Sequence, residues 1–132
     1  MKHLLPSLLV LALAATGCKT EKPAQNKGGD EQLSGRWRHN EQLADPGDGS
    51  GNWQPVVYVR AAYLTLGADG SANADGIAGF APVTRYEKLN DSTLRFTRSA
   101  GSQFDARYRV SGGQLELRYT CIEACGDRFA KE

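Results

Sequence analysis

Two cysteines near the C-terminal end of the sequence, Cys121 and Cys125, are the residues best placed to do chemistry together. If the residues between them form a loop, their sulfur atoms face each other across the end of a hairpin, and in an oxidising compartment they form a disulfide. A thiol pair for redox or metal chemistry is the alternative. Because a zinc site needs about four ligands and His39 is the only histidine beyond the N-terminal leader, we predict a structural disulfide, no metal site and no cofactor.

Three arginines could bind an anion. In the hairpin that the cysteines close, Arg118 is expected opposite Arg128, and the preceding hairpin sets Arg107 opposite Arg118. Like charges directly opposed on neighbouring strands are destabilising. A diagonal carboxylate, such as that of Glu116 or Asp127, therefore compensates them, or the row binds a phosphate or an anionic headgroup. A solvated outer face of splayed arginines is the alternative to this anion site.

Residues of the types used in catalysis are scarce. Beyond the leader there is no second histidine and no Gly-x-Ser-x-Gly nucleophile motif. The glycine-rich segment 47–51 lacks both the Lys-Ser/Thr pair and the helical continuation of a phosphate-binding loop. We therefore predict that the protein is not an enzyme.

The beginning of the chain has the pattern of an export leader. A positively charged start, Met1-Lys2-His3, precedes an apolar run over residues 4–15. This run is well short of the ~20 apolar residues that a membrane-spanning helix needs. Residues 1–17 are therefore predicted to be a secretory signal peptide that is removed.

Small residues, Ala15-Thr16-Gly17, stand directly before Cys18. This pattern resembles the lipobox of bacterial lipoproteins. The resemblance implies that the Cys18 sulfur receives a diacylglyceryl group, that the leader is cut before Cys18 and that the new amine is acylated. Several acyl chains give stable attachment to a membrane, so the resemblance implies a cell-envelope location, at an outer membrane and facing the periplasm or the cell surface. An ordinary signal peptide followed by a free cysteine is the alternative.

Residues 18–32 are predicted to be a polar tether that carries the lipid. Between Lys19 and Glu31 no aliphatic residue is larger than Ala and none is aromatic, so the segment has nothing to bury. Residues 33–132 follow as one domain, in which basic and acidic residues balance, and the whole chain has a formal charge of +1. This charge provides no field that would attract nucleic acid.

The domain alternates apolar and polar residues, which predicts strands throughout. The clearest strands, 104–110 and 115–121, flank a Gly-Gly turn whose register sets Tyr108 opposite Leu117 and brings both apolar faces together. Less regular runs and a final segment bring the count to about eight strands: 33–43, 55–66, 72–80, 83–89, 93–98 and 126–131. Consecutive hairpins favour an all-β, small up-and-down antiparallel barrel over a sandwich.

Short motifs at both ends of the domain resemble lipocalin-like proteins. Leu33-Ser34-Gly35-Arg36-Trp37 resembles their Gly-x-Trp opening. The last hairpins resemble those of bacterial lipocalin-like lipoproteins, which have a Leu-x-Leu strand, a cysteine pair and a terminal Arg-Phe strand, here Arg128-Phe129. The resemblance implies a barrel whose Trp37 closes one end and packs on a late arginine, either Arg118 or Arg128.

A barrel of this kind suggests two functions. If its interior is open, it would hold a small apolar or amphipathic ligand. The residues predicted to line it are Trp37, Tyr63, Phe96, Phe104, Tyr108, Leu117 and Tyr119. If these side chains fill the core instead, the domain is an envelope structural or protein-interaction module.

Overall fold

A computed structural model describes residues 32–80 and 82–132. The predicted leader, Cys18 and all but the last residue of the predicted tether lie outside the described residues. The described part contains these strands: β1 (Gly35–Ala44), β2 (Asn52–Pro55), β3 (Tyr63–Leu66), β4 (Ala72–Asp75), β5 (Val83–Asn90), β6 (Thr93–Arg98), β7 (Gln103–Ser111), β8 (Gln114–Tyr119) and β9 (Gly126–Lys131). Within these residues no helix has the length and hydrophobicity to cross a membrane.

Eight of the strands form a nearly closed antiparallel barrel in the order β4-β3-β1-β9-β8-β7-β6-β5. β4 approaches β5 at a bridge between Ser71 and Arg85, where the Tyr86 N–H donates to the Gly70 carbonyl at 2.9 Å. The Tyr86 hydroxyl also donates to the Gly67 carbonyl at 3.0 Å. The predicted all-β, up-and-down barrel is therefore confirmed, because the strands of the ring follow one another in chain order and β1 pairs with β9.

The ninth strand, β2, exists because β1 is long enough to pair twice along the same edge. The first half of β1 pairs with β3 and the second half of β1 pairs with β2. A β-bulge in β1 lies between these halves, at His39 to Glu41. The predicted strand 55–66 was therefore wrong over residues 56–62, which form a loop. Tyr58 of this loop contacts buried His39 instead of continuing a ladder, and Val57 and Val59 are exposed.

The β7–β8 hairpin has the register that the sequence predicts. Tyr108 lies opposite Leu117, and both turn residues, Gly112 and Gly113, adopt positive φ angles of 58° and 74°. Only glycine enters this region at little cost at two consecutive positions, so the Gly-Gly pair fixes a two-residue turn. The apolar faces of the two strands coincide as a result.

The β8–β9 register differs from the prediction by two residues. Arg128 lies opposite Glu116 and not opposite Arg118 as predicted, so Phe129 lies opposite Leu115. The predicted disulfide is present, but β8 ends at Tyr119 and β9 begins at Gly126, so the cysteines close a wider loop than a direct cross-strand pair would. A shift of two residues keeps every side chain on its predicted face.

The barrel end that contains the N-terminus of β1 is filled by side chains. Fully buried Trp37 donates from Nε1 to the Leu33 carbonyl at 2.7 Å. The predicted arginine partner of Trp37 was wrong: Lys131 lies opposite it in the β1–β9 pair, and the Lys131 Nζ is 5.1 Å from the ring centroid. Arg128 instead packs on Trp53, with Cζ 3.9 Å from the ring centroid.

Candidate functional site

A pocket of about 690 Å³, partly open to solvent, lies at the opposite end of the barrel. Its walls come from the C-terminal ends of β1, β6 and β8, the N-terminal ends of β7 and β9, and the connection between β4 and β5. The disulfide between Cys121 and Cys125 forms part of the wall. The barrel is therefore filled at its Trp37 end and hollow at its disulfide end.

Phe80 forms the floor of this pocket. It belongs to the connection between β4 and β5, is only 2% exposed, and contacts four other aromatic rings edge-on. The ring centroids of Phe96, Phe104, Tyr119 and Phe129 lie 5.5, 5.6, 5.8 and 6.2 Å from that of Phe80. Because Phe104 and Tyr119 line the pocket whereas Phe96 and Phe129 are buried beneath it, Phe80 separates the pocket from the core.

Two of the predicted lining residues, Phe104 and Tyr119, line this pocket. Phe96 is stacked behind Phe104, with centroids 5.2 Å apart and planes at 17°, and is fully buried. Leu117 is also fully buried in the core, and half-buried Tyr108 packs against that core.

The remaining two predicted lining residues lie elsewhere. Trp37 closes the other end of the barrel, as described above. Tyr63 points outward, because β3 buries its neighbour Leu64 on the inner face, and the exposed Arg36 places its Cζ 3.6 Å from the Tyr63 ring centroid. Tyr63 is therefore not a lining residue.

A buried carboxylate, that of Asp127, lies in the pocket wall. Asp127 is 5% exposed, and its Oδ2 accepts a 2.6 Å hydrogen bond from the Tyr119 hydroxyl. Oδ1 lies 2.8 Å from Nε2 of buried His39, and the same Nε2 lies 3.1 Å from the Glu41 carbonyl oxygen. Both carboxylate oxygens of Asp127 thus contact a buried or half-buried polar side chain, Tyr119 at Oδ2 and His39 at Oδ1.

His39 connects this carboxylate to the loop after β2. Nδ1 of the imidazole forms a 2.7 Å hydrogen bond with the Tyr58 hydroxyl. Burial, and then the charge of Asp127, raise the pKa of both Tyr58 and Tyr119. Both phenols are therefore protonated at neutral pH, and the Tyr119 hydroxyl donates to Asp127.

Phe80, His39 and Asp127 were not predicted as residues of this site. The sequence does contain a signal for Asp127. Asp127 lies two positions before Phe129 and therefore shares its inward face, where a charged residue interrupts the alternation of apolar and polar residues in β9. His39 has the same relation to Trp37 on β1. Phe80 gave no such signal, because it reaches the barrel axis from a connection and not from a strand.

The outer face carries a separate group of charges around Glu116, which we call the arginine cluster: Glu116, Arg109, Arg118 and Arg128. Arg118 Nε donates to Oε1 at 2.8 Å and Arg128 Nε donates to Oε2 at 2.9 Å, while Arg109 Nη2 lies 3.5 Å from Oε2. Burial acts to raise the pKa of Glu116, but hydrogen bonds from Arg118 and Arg128 outweigh it and hold the pKa below its ordinary value. The cluster is thus neutralised in part by its own carboxylate.

The predicted row of three arginines was wrong at one step. Arg107 lies opposite Arg118 as predicted, but Arg118 lies opposite Gly126, and Arg128 lies opposite Glu116. The two-residue shift of β9 is the cause, because it replaces a pairing of like charges with a pairing of opposite charges. Binding of an external anion by these arginines stays a prediction.

Within residues 32–80 and 82–132, no three or more histidine, cysteine or acidic side chains are grouped so that they could hold a metal ion. The nearly closed barrel is compatible with a lipocalin-like fold. No protein-family model matches the chain, and neither a curated protein nor a solved structure matches it.

Proposed function

We propose that the protein is a lipid-anchored lipoprotein of the bacterial cell envelope whose barrel binds a small amphipathic ligand in the pocket at its disulfide end. The observation that carries this proposal is the pocket itself. Its volume of about 690 Å³ falls within the roughly 300–1,000 Å³ of known small-molecule sites. It also combines an apolar floor with a few fixed polar groups, which is how such sites obtain affinity and orientation.

The distribution of lining residues supports an amphipathic ligand over a purely apolar one. Phe80, Phe104 and Tyr119 offer aromatic surface to an apolar body. The lining also includes an ion pair, in which Arg95 Nε lies 2.7 Å from Asp105 Oδ1. A ligand without polar groups would leave such charges in contact with an apolar surface, at a cost in desolvation.

The membrane anchor is supported by the leader and by the small residues before Cys18. Two or more acyl chains bind a bilayer far more stably than one chain does. The polar tether would separate the barrel from the membrane, and neither mouth of the barrel would need to contact lipid. The anchor is tested by the mass of the mature chain, which should begin at Cys18 and carry acyl groups that Cys18→Ser abolishes.

A second function is favoured by a different observation. Val57, Val59 and Ile122 are large apolar side chains that are 93% or more exposed. Exposed apolar residues on a small domain can mark a surface that another protein covers. An envelope interaction module would use these residues, and its pocket would stay empty.

Native mass spectrometry of the full chain purified from its own host tests ligand binding. The account expects a bound small molecule on the wild type, its loss from Ala78→Trp, and its retention by Ala68→Trp. Ala78 is an exposed residue of the pocket wall, so a tryptophan there occupies the mouth. Ala68 is an exposed residue in the turn between β3 and β4, at the other end of the barrel, and provides a matched control. A wild-type protein without a small molecule but with a bound protein would favour the interaction module.

A further inference from the structure

We infer that the ligand of this pocket carries an oxyanion, a carboxylate or a phosphate ester, and that Arg98 is the residue that binds it. The inference rests on the proposed function and specifies the class of ligand. It follows from the position of Arg98 on the inner face of the barrel, from the hydrogen-bond donors of its side chain and from the other charges of the pocket.

Arg98 lies on the inner face of β6, at the end of the barrel where the pocket opens. The alternation of side chains along β6 places it on the same face as the buried Leu94 and Phe96. Its register partner on β5, Val83, is buried as well. Arg98 itself is half-buried and lines the pocket. Because arginines lie mostly on outer faces, a charged residue here interrupts the apolar inner face of β6 at the pocket itself.

The pocket wall orients the guanidinium group of Arg98 and leaves it donors for a ligand. Its Nη2 donates to the Gly79 carbonyl at 3.3 Å, and its Cζ lies 4.4 Å from the Phe104 ring centroid. A guanidinium group has five N–H donors. Within the described residues, the Gly79 carbonyl is the only acceptor of a hydrogen bond from this side chain. The group is thus held in place by Phe104 while most of its donors stay available.

The other charges of the pocket lining already have partners. Arg95 is matched by Asp105, through hydrogen bonds of 2.7 and 2.9 Å. The carboxylate of Asp127 belongs to the buried network described above. In the part of the chain that the structure describes, no carboxylate forms an ion pair with Arg98. A ligand that brings an anion to Arg98 therefore balances the charge of the lining, whereas a cation would be repelled.

The surroundings of Arg98 fit an oxyanion attached to an apolar body. The planar guanidinium group binds carboxylates and phosphates through two parallel hydrogen bonds, which provide both affinity and orientation. Phe104, on which Arg98 packs, contacts Phe80 with ring centroids 5.6 Å apart. With the oxyanion at Arg98, an alkyl or aryl body would thus cover Phe104 and Phe80.

Titration calorimetry at neutral pH with four eight-carbon probes tests this inference on the full-length chain. Octanoate and octyl phosphate are anions, octan-1-ol is neutral, and octylamine is a cation. We expect at least one of the anions to bind about tenfold more tightly than octan-1-ol, because charge-assisted hydrogen bonds are the stronger ones. Octylamine should bind most weakly. Higher salt should weaken the binding of the anions and leave octan-1-ol unchanged, since salt screens charges at a partly open site.

Arginine variants locate the effect. Arg98→Gln should weaken the tighter anion about tenfold and leave octan-1-ol within about twofold. Arg98→Lys keeps the charge but lacks the planar group, so it should recover only part of this loss. The matched control is Arg85→Gln, at an exposed position of the neighbouring strand β5 and outside the pocket lining. Its affinities should stay within about twofold of the wild-type values, because exposed charges away from the site are screened.

The outcomes separate the two proposals. Circular dichroism checks that Arg98→Gln is folded, and if it is not, the order of the four probes on the wild type and its salt dependence decide. If octan-1-ol or octylamine binds as tightly as both anions, the oxyanion assignment is overturned while ligand binding stands. A neutral or cationic molecule recovered from the host protein would overturn it too. If no probe binds and the protein from its host carries no small molecule, the proposed function fails as well.

Discussion

Arg128 lies directly opposite Glu116 in the β8–β9 pair, and its Nε donates a 2.9 Å hydrogen bond to Glu116 Oε2. The other carboxylate oxygen accepts from Arg118 Nε at 2.8 Å. A single buried carboxylate thus joins two guanidinium groups on the outer face of the barrel. Because Glu116 on β8 is buried and contacts Arg128 on β9, this contact supports the register of the last two strands.

Glu116→Gln should therefore lower the free energy of unfolding by roughly 1–3 kcal/mol, because the arginines lose the charge that pairs them while the amide stays buried. Urea denaturation measures the change. Glu87→Gln, at an exposed position of β5, is the matched control. Its free energy of unfolding should stay within about 0.5 kcal/mol of the wild-type value. Equal stability of the two variants would show that the cluster contributes nothing.

The same carboxylate should make stability depend on pH in the acid range. The pKa of Glu116 is lowered in the folded state, because hydrogen bonds from Arg118 and Arg128 outweigh the opposing effect of burial. Protonation therefore favours the unfolded chain: the contribution is present above 4.5, the ordinary value, and is lost as pH falls through the lower folded value.

Urea midpoints measured between neutral and acid pH test this dependence. Glu116→Gln should lose less stability than the wild type over the acid range. Parallel acid profiles for the two proteins would contradict the assignment.

Gly126 has no room for a side chain. A Cβ there would lie 2.5 Å from the Leu117 carbonyl oxygen and 3.2 Å from the Trp53 ring. We expect Gly126→Ala to destabilise the protein by roughly 1–3 kcal/mol, as overpacking commonly does. In a Trp53→Ala background the cost should fall without vanishing, since the carbonyl remains. An unchanged cost in that background, measured by urea denaturation, would mean that the tryptophan does not press on this glycine.

Removal of the disulfide should affect the pocket more than the fold. Cys121 and Cys125 line the pocket, while the pairing of β8 with β9 lies outside the loop that they close. The double variant Cys121→Ser/Cys125→Ser should lose only about 2 kcal/mol, because the closed ring is small. It should keep the circular dichroism of the barrel but bind the neutral amphipathic probe octan-1-ol more weakly, as calorimetry can measure. Full affinity in this variant would show that the loop does not shape the pocket.

Particular residues show why the sequence predicts one register and not the next. The β7–β8 register follows from the alternation of apolar and polar residues together with the two-residue Gly112-Gly113 turn. A turn of this length allows the two strands only one pairing. For β9, alternation fixes which face Phe129 occupies but is indifferent to a shift of two residues. The conformation of the cysteine loop decides that shift, and it has no equally restrictive turn signal.

The pocket was less predictable than the barrel. Phe104 and Tyr119 could be assigned to the interior by alternation, because they occupy regular strands. Phe80 reaches the interior from a connection, and a bulge beside His39 sets the path of β1, so neither follows from periodicity. The site thus depends on irregular segments of the fold. In such segments the spacing of residues along the chain does not predict where their side chains lie.

Chemical-shift mapping by NMR tests the central claim most directly, namely that the disulfide end of the barrel is a ligand site. Octan-1-ol is a suitable probe because it is small and amphipathic and carries no charge. The account predicts saturable shifts confined to the pocket lining, including Phe80, Phe104, Tyr119 and Gly126, with the amides of Trp37 and Gly112 at the filled end unchanged. Shifts confined to the exposed Val57 and Val59, or no saturable shifts at all, would contradict it.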